Sequence, residues 1–276
     1  MPAIAHALPF VNCMLLASLA AGAFAFASIT GALTEATRGY LRFTTLMAAL
    51  LAGLALLADW GLTAPADQLA IEAPDPTLDT LRRLGLAALA VAGVAYAVRV
   101  DRRRERDILA LVGIGAVTLA LGAAAVGWAA SLADTVPLFV QLCLLAAASG
   151  GSLAALTLGH WYLVTPRLSV GPLVAQTRLL GALVGLQLAV FIVWASFGGG
   201  PGQSAFESIS GPQALYGWLR LVVTLVFPLV LVVMAHQTAR TRSMESATGL
   251  LYIAVAAIFA GTIGAAALYV TSGTLV

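Results

Sequence analysis

Residues 99–128 read RVDRRRERDILALVGIGAVTLALGAAAVGW, a cluster of arginines followed by a long apolar run. The hydrocarbon core of a bilayer is about 30 Å thick, and a helix of about 20 apolar residues crosses it. The apolar part of this stretch has that length, and the arginines would mark the helix end that lies in water. The stretch therefore predicts a membrane-spanning helix that begins at an arginine-rich turn.

The same pattern recurs along the chain. The predicted helices cover residues 9–33, 40–60, 81–99, 107–132, 137–164, 172–197, 213–236 and 246–270. The chain is 61% hydrophobic and only 9% charged, and its mean hydropathy is +0.98. A soluble protein of this size needs more polar surface than that. We therefore predict an all-α integral membrane protein with about eight transmembrane helices.

Charge fixes the expected orientation. Eleven of the 14 arginines lie at alternate helix ends: Arg38, Arg42, Arg99, Arg102, Arg103, Arg104, Arg106, Arg167, Arg178, Arg240 and Arg242. The opposite ends carry Arg82, Arg83, Arg220 and several acidic residues. The positive-inside rule then predicts that the arginine-rich turns are cytoplasmic and both termini lie outside, in the inner membrane of a bacterium. The chain has no lysine and a net charge of +2, so we expect no nucleic-acid partner.

Two features of the first helix and the connections allow more than one interpretation. Residues 1–30 could be a signal peptide with Ala-Phe-Ala at 23–25 as its cleavage site, but no basic residues precede the apolar run, which favours a true helix. The longer connections, 61–80 and 198–212, have neither clusters of potential ligands nor enough apolar residues to form a domain, and they are expected to be simple connectors on the outer surface.

A shift of 129 residues aligns parts of the first and fifth helices. Phe10, Val11, Asn12, Leu15, Leu16, Ala17 and Gly22 then match Phe139, Val140, Gln141, Leu144, Leu145, Ala146 and Gly151. Alanine and leucine are abundant enough to produce chance matches, so both chance and duplication remain open. Duplication would give two tandem four-helix units, residues 1–133 and 134–276, with the same orientation in the membrane.

Small residues indicate where helices could approach closely. Gly181 and Gly185 form a GxxxG pattern on the sixth helix. Residues 149–152 and Gly159 are small and give the fifth helix a face without bulky side chains. Such faces usually bring helix backbones together, although a groove for a flat cofactor is an alternative. Cys13 and Cys143 are expected to pack as apolar residues, with a disulfide as the alternative.

The middle of the bilayer holds no predicted carboxylate, and the most central strongly polar side chain is Gln187. Buried carboxylates mark proton relays and cation sites, so their absence from these runs weighs against an ion-coupled pump. Substrate could still bind to backbone groups at a broken helix. Pro228 in the seventh helix could open such a site, or could simply kink the helix.

Two histidines suggest a cofactor site. His160 and His236 end the fifth and seventh helices on the arginine-rich side, and these helices would stand diagonally in a four-helix unit. If both point inward, they could ligate a haem iron axially, with Arg167, Arg178 or Arg240 pairing with the propionates. This resembles the arrangement in membrane b-type cytochromes.

Other interpretations of these histidines remain open. His160, Tyr162 and Arg178 could instead form a pocket for a quinone or a lipid headgroup. His236, Arg240 and Glu245 could converge near His160 and exchange protons with a quinone. Alternatively, the histidines could anchor the helix ends beside interfacial aromatics, and Glu245 could complement a helix dipole.

These features favour a membrane subunit of a respiratory or related electron-transfer complex, with a quinone or haem b pocket near the cytoplasmic face. The expected partners are the lipid bilayer and other membrane subunits, because the sequence has no soluble catalytic domain or catalytic motif. The alternative is a membrane carrier, or a non-catalytic scaffold or anchor subunit.

Overall fold

The structure, a computed structural model, describes residues 2–62, 69–71, 75–129, 131–165, 167–197, 214–273 and 275. The first six helices are α1 Pro2–Leu33, α2 Arg38–Trp60, α3 Pro76–Val98, α4 Arg103–Trp128, α5 Leu132–Val164 and α6 Gly171–Phe197. Helix α7 joins Ala214–Trp218, a π-helical segment Leu219–Val226 and Phe227–Arg240, and α8 is Met244–Ser272. Among the described residues, eight helices are long and apolar enough to cross a membrane. For this part of the chain, the structure confirms the predicted all-helical fold and is consistent with the predicted membrane protein.

Alternate helix ends differ in charge. We call the end that holds residues 34–37, 99–102 and 241–243 the arginine-rich end, and the opposite end the acidic end. Some arginines of the arginine-rich end are paired: Arg38 lies 2.8 Å from Asp101, and Arg99 lies 3.2 Å from Glu105. These pairs are exposed, so each contributes little to stability.

Helices α1 and α5 form the centre of the bundle. In the most apolar stretch of each helix, 78% of the residues of α1 and 72% of those of α5 are buried, whereas the value for α6 is 22%. Helix α1 packs against α2, α4, α5 and α8, while α5 packs against α1, α4, α6 and α8. Their backbones come close because glycines face each other: a Cβ at Gly150 would lie 2.6 Å from the Cα of Gly22.

The glycines of α5 behave as predicted, but those of α6 do not. A Cβ added at Gly151 would meet the ring of Phe26, and one at Gly159 would lie 2.8 Å from Thr248 Oγ1. A Cβ at Gly185 would have no neighbour within 4 Å among the described atoms. Among the described residues, the GxxxG pattern of α6 therefore marks no backbone contact, because a Cβ at Gly181 would meet only a side chain, that of Val232 in α7 at 3.5 Å.

Several helices begin earlier than the apolar runs indicate. Asp75 caps α3 by accepting hydrogen bonds from the backbone N–H groups of Thr77 and Leu78, and Pro76 occupies the first turn, where its missing N–H costs nothing. Ser131 caps α5 by accepting a bond from the Asp134 N–H. Polar caps extend these helices beyond their apolar parts, which the hydropathy pattern does not reveal.

Helix α7 is irregular just before Pro228. The N–H of Phe227 donates to the carbonyl of Val222, five residues earlier, so the turn is wider than an α-helical turn. Proline has no N–H and its ring crowds the carbonyl four residues earlier, here that of Thr224. The sequence left a plain kink and an opened helix as alternatives for Pro228, and the structure shows a π-helical segment.

Three further expectations concern the cysteines, the internal repeat and the connectors. Cys13 and Cys143 are free, because the Cys13 thiol points to α2, 3.9 Å from the carbonyl of Ala55, so the disulfide alternative is wrong. Asn12 is exposed whereas Gln141 is buried, so the two polar residues matched by the proposed repeat have different environments. Of the predicted connectors, 198–212 lies outside the described residues, as do residues 63–68 and 72–74 of the connector 61–80.

Candidate functional site

A pocket of about 650 Å³ opens at the arginine-rich end. It is lined by Tyr162, Leu163, Arg242, Ser243, Met244 and Glu245. We call it the α5–α8 pocket, because its walls are the end of α5, the turn before α8 and the first turn of α8. Its lining combines an aromatic ring, two apolar side chains, a guanidinium, a hydroxyl and a carboxylate. Two of the residues predicted from the sequence, Tyr162 and Glu245, thus lie together.

Local hydrogen bonds fix two walls of this pocket. The Tyr162 hydroxyl donates to the carbonyl of Ser169 at 2.5 Å, and its ring is buried. Arg242 Nη2 donates to the carbonyl of Leu168 at 3.1 Å. Both bonds reach the turn between α5 and α6, so this turn is tied to the pocket from two sides.

Arg242 has an unusual backbone conformation. Its φ is +63°, the single positive value among the described non-glycine residues. This left-handed conformation costs an L-residue roughly 1–2 kcal/mol, and such strain is concentrated at functional sites. The conformation closes the turn and places the guanidinium at the pocket. Sequence reasoning used Arg242 only as an orientation signal, since positive φ at an arginine leaves no mark in the sequence.

The two histidines point in different directions. His160 is exposed, while its neighbours Gly159 and Trp161 face α8 and α2 respectively. His236 is half-buried, and its Nδ1 lies 3.1 Å from the Thr177 hydroxyl of α6. Two axial ligands of a haem inside the bundle would both have to face the core. The orientation of His160 does not fit that arrangement.

The remaining predicted residues lie outside the pocket. Arg167, Arg178 and Arg240 are all exposed at the arginine-rich end. Arg178 follows Thr177, whose side chain faces α7, and Gln176, whose side chain faces the core, so Arg178 is on the outer face of α6. These arginines lie at the same end of the bundle as Tyr162 and Glu245, but none of the three lines the pocket.

A buried polar cluster, which the sequence did not suggest, joins α1, α2 and α6. Gln176 Nε2 donates to Thr30 Oγ1 at 2.7 Å and to the Tyr40 hydroxyl at 2.5 Å, and that hydroxyl donates to the carbonyl of Ala154. All the side chains involved are buried. Hydrogen bonds of this kind hold helices together in apolar surroundings. The cluster fixes the position of α6 against the central pair.

A second cluster that the sequence missed is charged and lies near the acidic end. The Asp59 carboxylate is fully buried, pairs with Arg82 Nε, and accepts a bond from Arg83 Nε at 2.6 Å. Arg82 Nη2 also lies 2.9 Å from Asp79. The Arg82 guanidinium stacks 4.8 Å from the centre of the Trp128 ring. The cluster therefore ties α2 to α3 and α4.

Hydropathy alone could not show that the charged residues of this cluster are buried in the bundle and do not belong to the loops. Asp59, Arg82 and Arg83 were all placed with the outer connections, because each lies within two turns of a helix end. Their spacing contained one usable signal: an acid at the end of one apolar helix and two arginines near the start of the next would meet in a hairpin.

Comparisons of this chain with protein-family models, with curated proteins and with solved structures find no match. Within the described residues, no group of three or more His, Cys, Asp or Glu side chains is placed to hold a metal ion.

Proposed function

We propose that the chain is a membrane subunit of a respiratory or related electron-transfer complex and binds a quinone headgroup in the α5–α8 pocket. The observation that carries this proposal is the mixed lining of that pocket, with Tyr162, Arg242 and Glu245 at one opening. Ligand pockets of this kind combine apolar walls with a few polar groups that fix orientation. A quinone needs both, because its ring is apolar and its two carbonyl oxygens accept hydrogen bonds.

The residues of the pocket would have different roles in binding and reducing the quinone. The Tyr162 ring and the Leu163 and Met244 side chains would contact the quinone ring, and the Arg242 guanidinium would donate to a carbonyl oxygen. Reduction of a quinone to a quinol takes up two electrons and two protons. The electrons would come from a redox partner subunit, and the exposed Glu245 carboxylate would relay protons from water.

Haem receives less support than quinone from the geometry. A haem between His160 and His236 needs both imidazoles inside the bundle, and His160 is exposed. We therefore expect the purified chain to show no haem b band in a reduced-minus-oxidised spectrum. A band that disappears in both His160→Ala and His236→Ala would overturn this preference.

The proposed setting is the inner membrane of a bacterium, with the arginine-rich end in the cytoplasm and both termini outside. The distribution of the arginines supports this orientation. We also infer two tandem four-helix units, α1–α4 and α5–α8. Corresponding contacts within the units support this division: α1 contacts α2 and α4, and α5 contacts α6 and α8, while α1–α5, α1–α8 and α4–α5 contacts join the two units.

Arg242→Gly and Glu245→Gln should each weaken quinone binding by roughly tenfold, because each removes a charged polar group from the pocket. The measurement is a titration of the purified full-length chain, in detergent, with a short-chain ubiquinone. Arg242→Gly has a second use: glycine accepts positive φ, and this relief offsets the lost hydrogen bond to Leu168, so the variant should unfold close to the wild-type temperature. Its loss of binding would then not reflect loss of structure.

Arg104→Gln is the matched control, since Arg104 is also an exposed arginine at the same end but does not line the pocket. It should bind the quinone as the wild type does. If the wild type fails to bind, or if all three variants bind equally, the quinone proposal is wrong and the carrier or scaffold alternative is preferred.

A further inference from the structure

One arginine is buried within the second four-helix unit. Arg220 lies in the π-helical segment of α7 and is only 4% exposed. A Cβ added at Gly261, near the middle of α8, would lie 2.7 Å from Arg220 Nη1, so the guanidinium reaches well into the bundle. The sequence placed Arg220 with the outer connections. The structure instead buries its charge beside Gly261, within the bundle.

Only one of the three nitrogens of this guanidinium has a hydrogen-bond partner among the described residues. Arg220 Nη1 donates to Thr224 Oγ1 at 3.2 Å. Within the part of the chain that the structure describes, Arg220 Nε and Nη2 are buried and have no hydrogen-bond partner. Among the residues that the structure describes, no carboxylate lies within ion-pair distance of Arg220.

The first four-helix unit contains a comparable buried arginine that does have counter-ions. Arg82 is buried to the same extent as Arg220 and also lies about two turns into the third helix of its unit. Its charge is balanced by Asp59 and Asp79. The ends of α2 and α6 correspond between the units, but α6 ends in Trp194, Ala195, Ser196 and Phe197, with no acid. The counter-ion of Arg220 is therefore missing from the equivalent position.

An unpaired charge in apolar surroundings is costly, and ionisable residues inside membrane proteins are therefore usually functional. The two unpartnered nitrogens of Arg220 also define a geometry. Nε–H and Nη2–H lie on one edge of the guanidinium and point in the same direction, which is the edge that binds both oxygens of a carboxylate.

The local backbone accommodates this site. Gly261 leaves room for the guanidinium, because a side chain there would overlap Arg220 and Thr224. The wide turn before Pro228 displaces the backbone of α7 at this level, and π-helical turns are often found at functional sites. Leu145, Phe191, Leu225 and Ala265 form an apolar cluster in the same unit.

We propose that the second four-helix unit binds a small carboxylate at Arg220, with an apolar tail directed towards this cluster. The two carboxylate oxygens would accept hydrogen bonds from Nε and Nη2, while Thr224 holds Nη1. This site is separate from the α5–α8 pocket at the arginine-rich end, so it does not depend on quinone binding. It would give the chain a monocarboxylate-binding site in addition to the quinone pocket.

Butyrate is a suitable probe, with chloride and phosphate as comparison anions at the same ionic strength and pH. The purified full-length chain should gain thermal stability with butyrate in a saturable way, and much less with either comparison anion. Arg220→Gln removes the charge and should weaken butyrate binding by roughly 10- to 100-fold. Arg220→Lys keeps the charge without the two-nitrogen edge and should show an intermediate loss.

Arg178→Gln controls for general loss of positive charge, because Arg178 is exposed on the neighbouring helix α6, and it should bind butyrate normally. The wild-type comparison of anions alone can overturn the proposal, even if the Arg220 variants do not fold. Equal effects of butyrate, chloride and phosphate would do so. Unchanged butyrate binding in Arg220→Gln would also show that the arginine is structural. Neither result would affect the quinone titration.

Discussion

Replacing Asp59 by asparagine should lower the free energy of unfolding by about 3–5 kcal/mol, the usual cost of removing one partner from a buried ion pair. Asp59 is fully buried and contacts both Arg82 and Arg83. Asparagine keeps the shape of the side chain but leaves the buried Arg82 charge with Asp79 alone. The loss can be measured by titrating the detergent-solubilised chain with SDS and following its helicity.

Asp101→Asn is the matched control. Asp101 also pairs with two arginines, Arg38 and Arg42, but its side chain is 51% exposed. Water and salt weaken such pairs, so the expected loss is about 1 kcal/mol or less. Similar losses in the Asp59 and Asp101 variants would show that burial of the first cluster has no energetic importance.

A double variant separates the pair from its surroundings. Asp59→Leu with Arg82→Leu removes both buried charges, so its loss should be clearly smaller than the sum of the two single losses. Additive losses would contradict a direct interaction between Asp59 and Arg82. Arg83 is one-third exposed and can turn its charge towards water, so it should tolerate the double change.

The sequence predicted the number of helices and their depth, but not which way their side chains face. Apolar residues cover every side of α5, so its sequence does not distinguish the lipid face from the core face. His160 and Tyr162 share a depth, yet one is exposed and the other is buried. Packing decides this difference: Gly159 meets α8 and Trp161 meets α2, which leaves His160 outside.

The same limitation explains the outcome at the candidate sites. Glu245 and Tyr162 could be predicted to lie in one layer, because each adjoins an arginine-rich turn. Arg242 could not be recognised as a pocket residue, since its role depends on a backbone conformation with φ of +63°. Arg220 was misplaced because its position in the sequence near a helix start hides how far its long side chain reaches along the neighbouring helix.

Substituting Gly22 by alanine should cost about 3 kcal/mol, at the upper end of the usual range for overpacking. The added Cβ would overlap the carbonyl oxygen of Ala146 and lie 2.9 Å from the Cα of Gly150. Both are backbone atoms, so no side chain can rotate away, and α1 would have to separate from α5. These two helices are the most buried in the bundle, so the displacement would affect contacts in both four-helix units.

Gly185→Ala provides the opposite case within the same chain. It is also a helical glycine, but a Cβ there would meet nothing within 4 Å. Alanine favours a helix over glycine by about 1 kcal/mol, so this variant should be as stable as the wild type or more stable. The difference between the two variants in an SDS titration measures the contribution of the α1–α5 contact, because helix propensity acts in the same direction at both positions. If Gly22→Ala were as stable as Gly185→Ala, α1 and α5 would not be in backbone contact, and the packing that defines the two units would have to be revised.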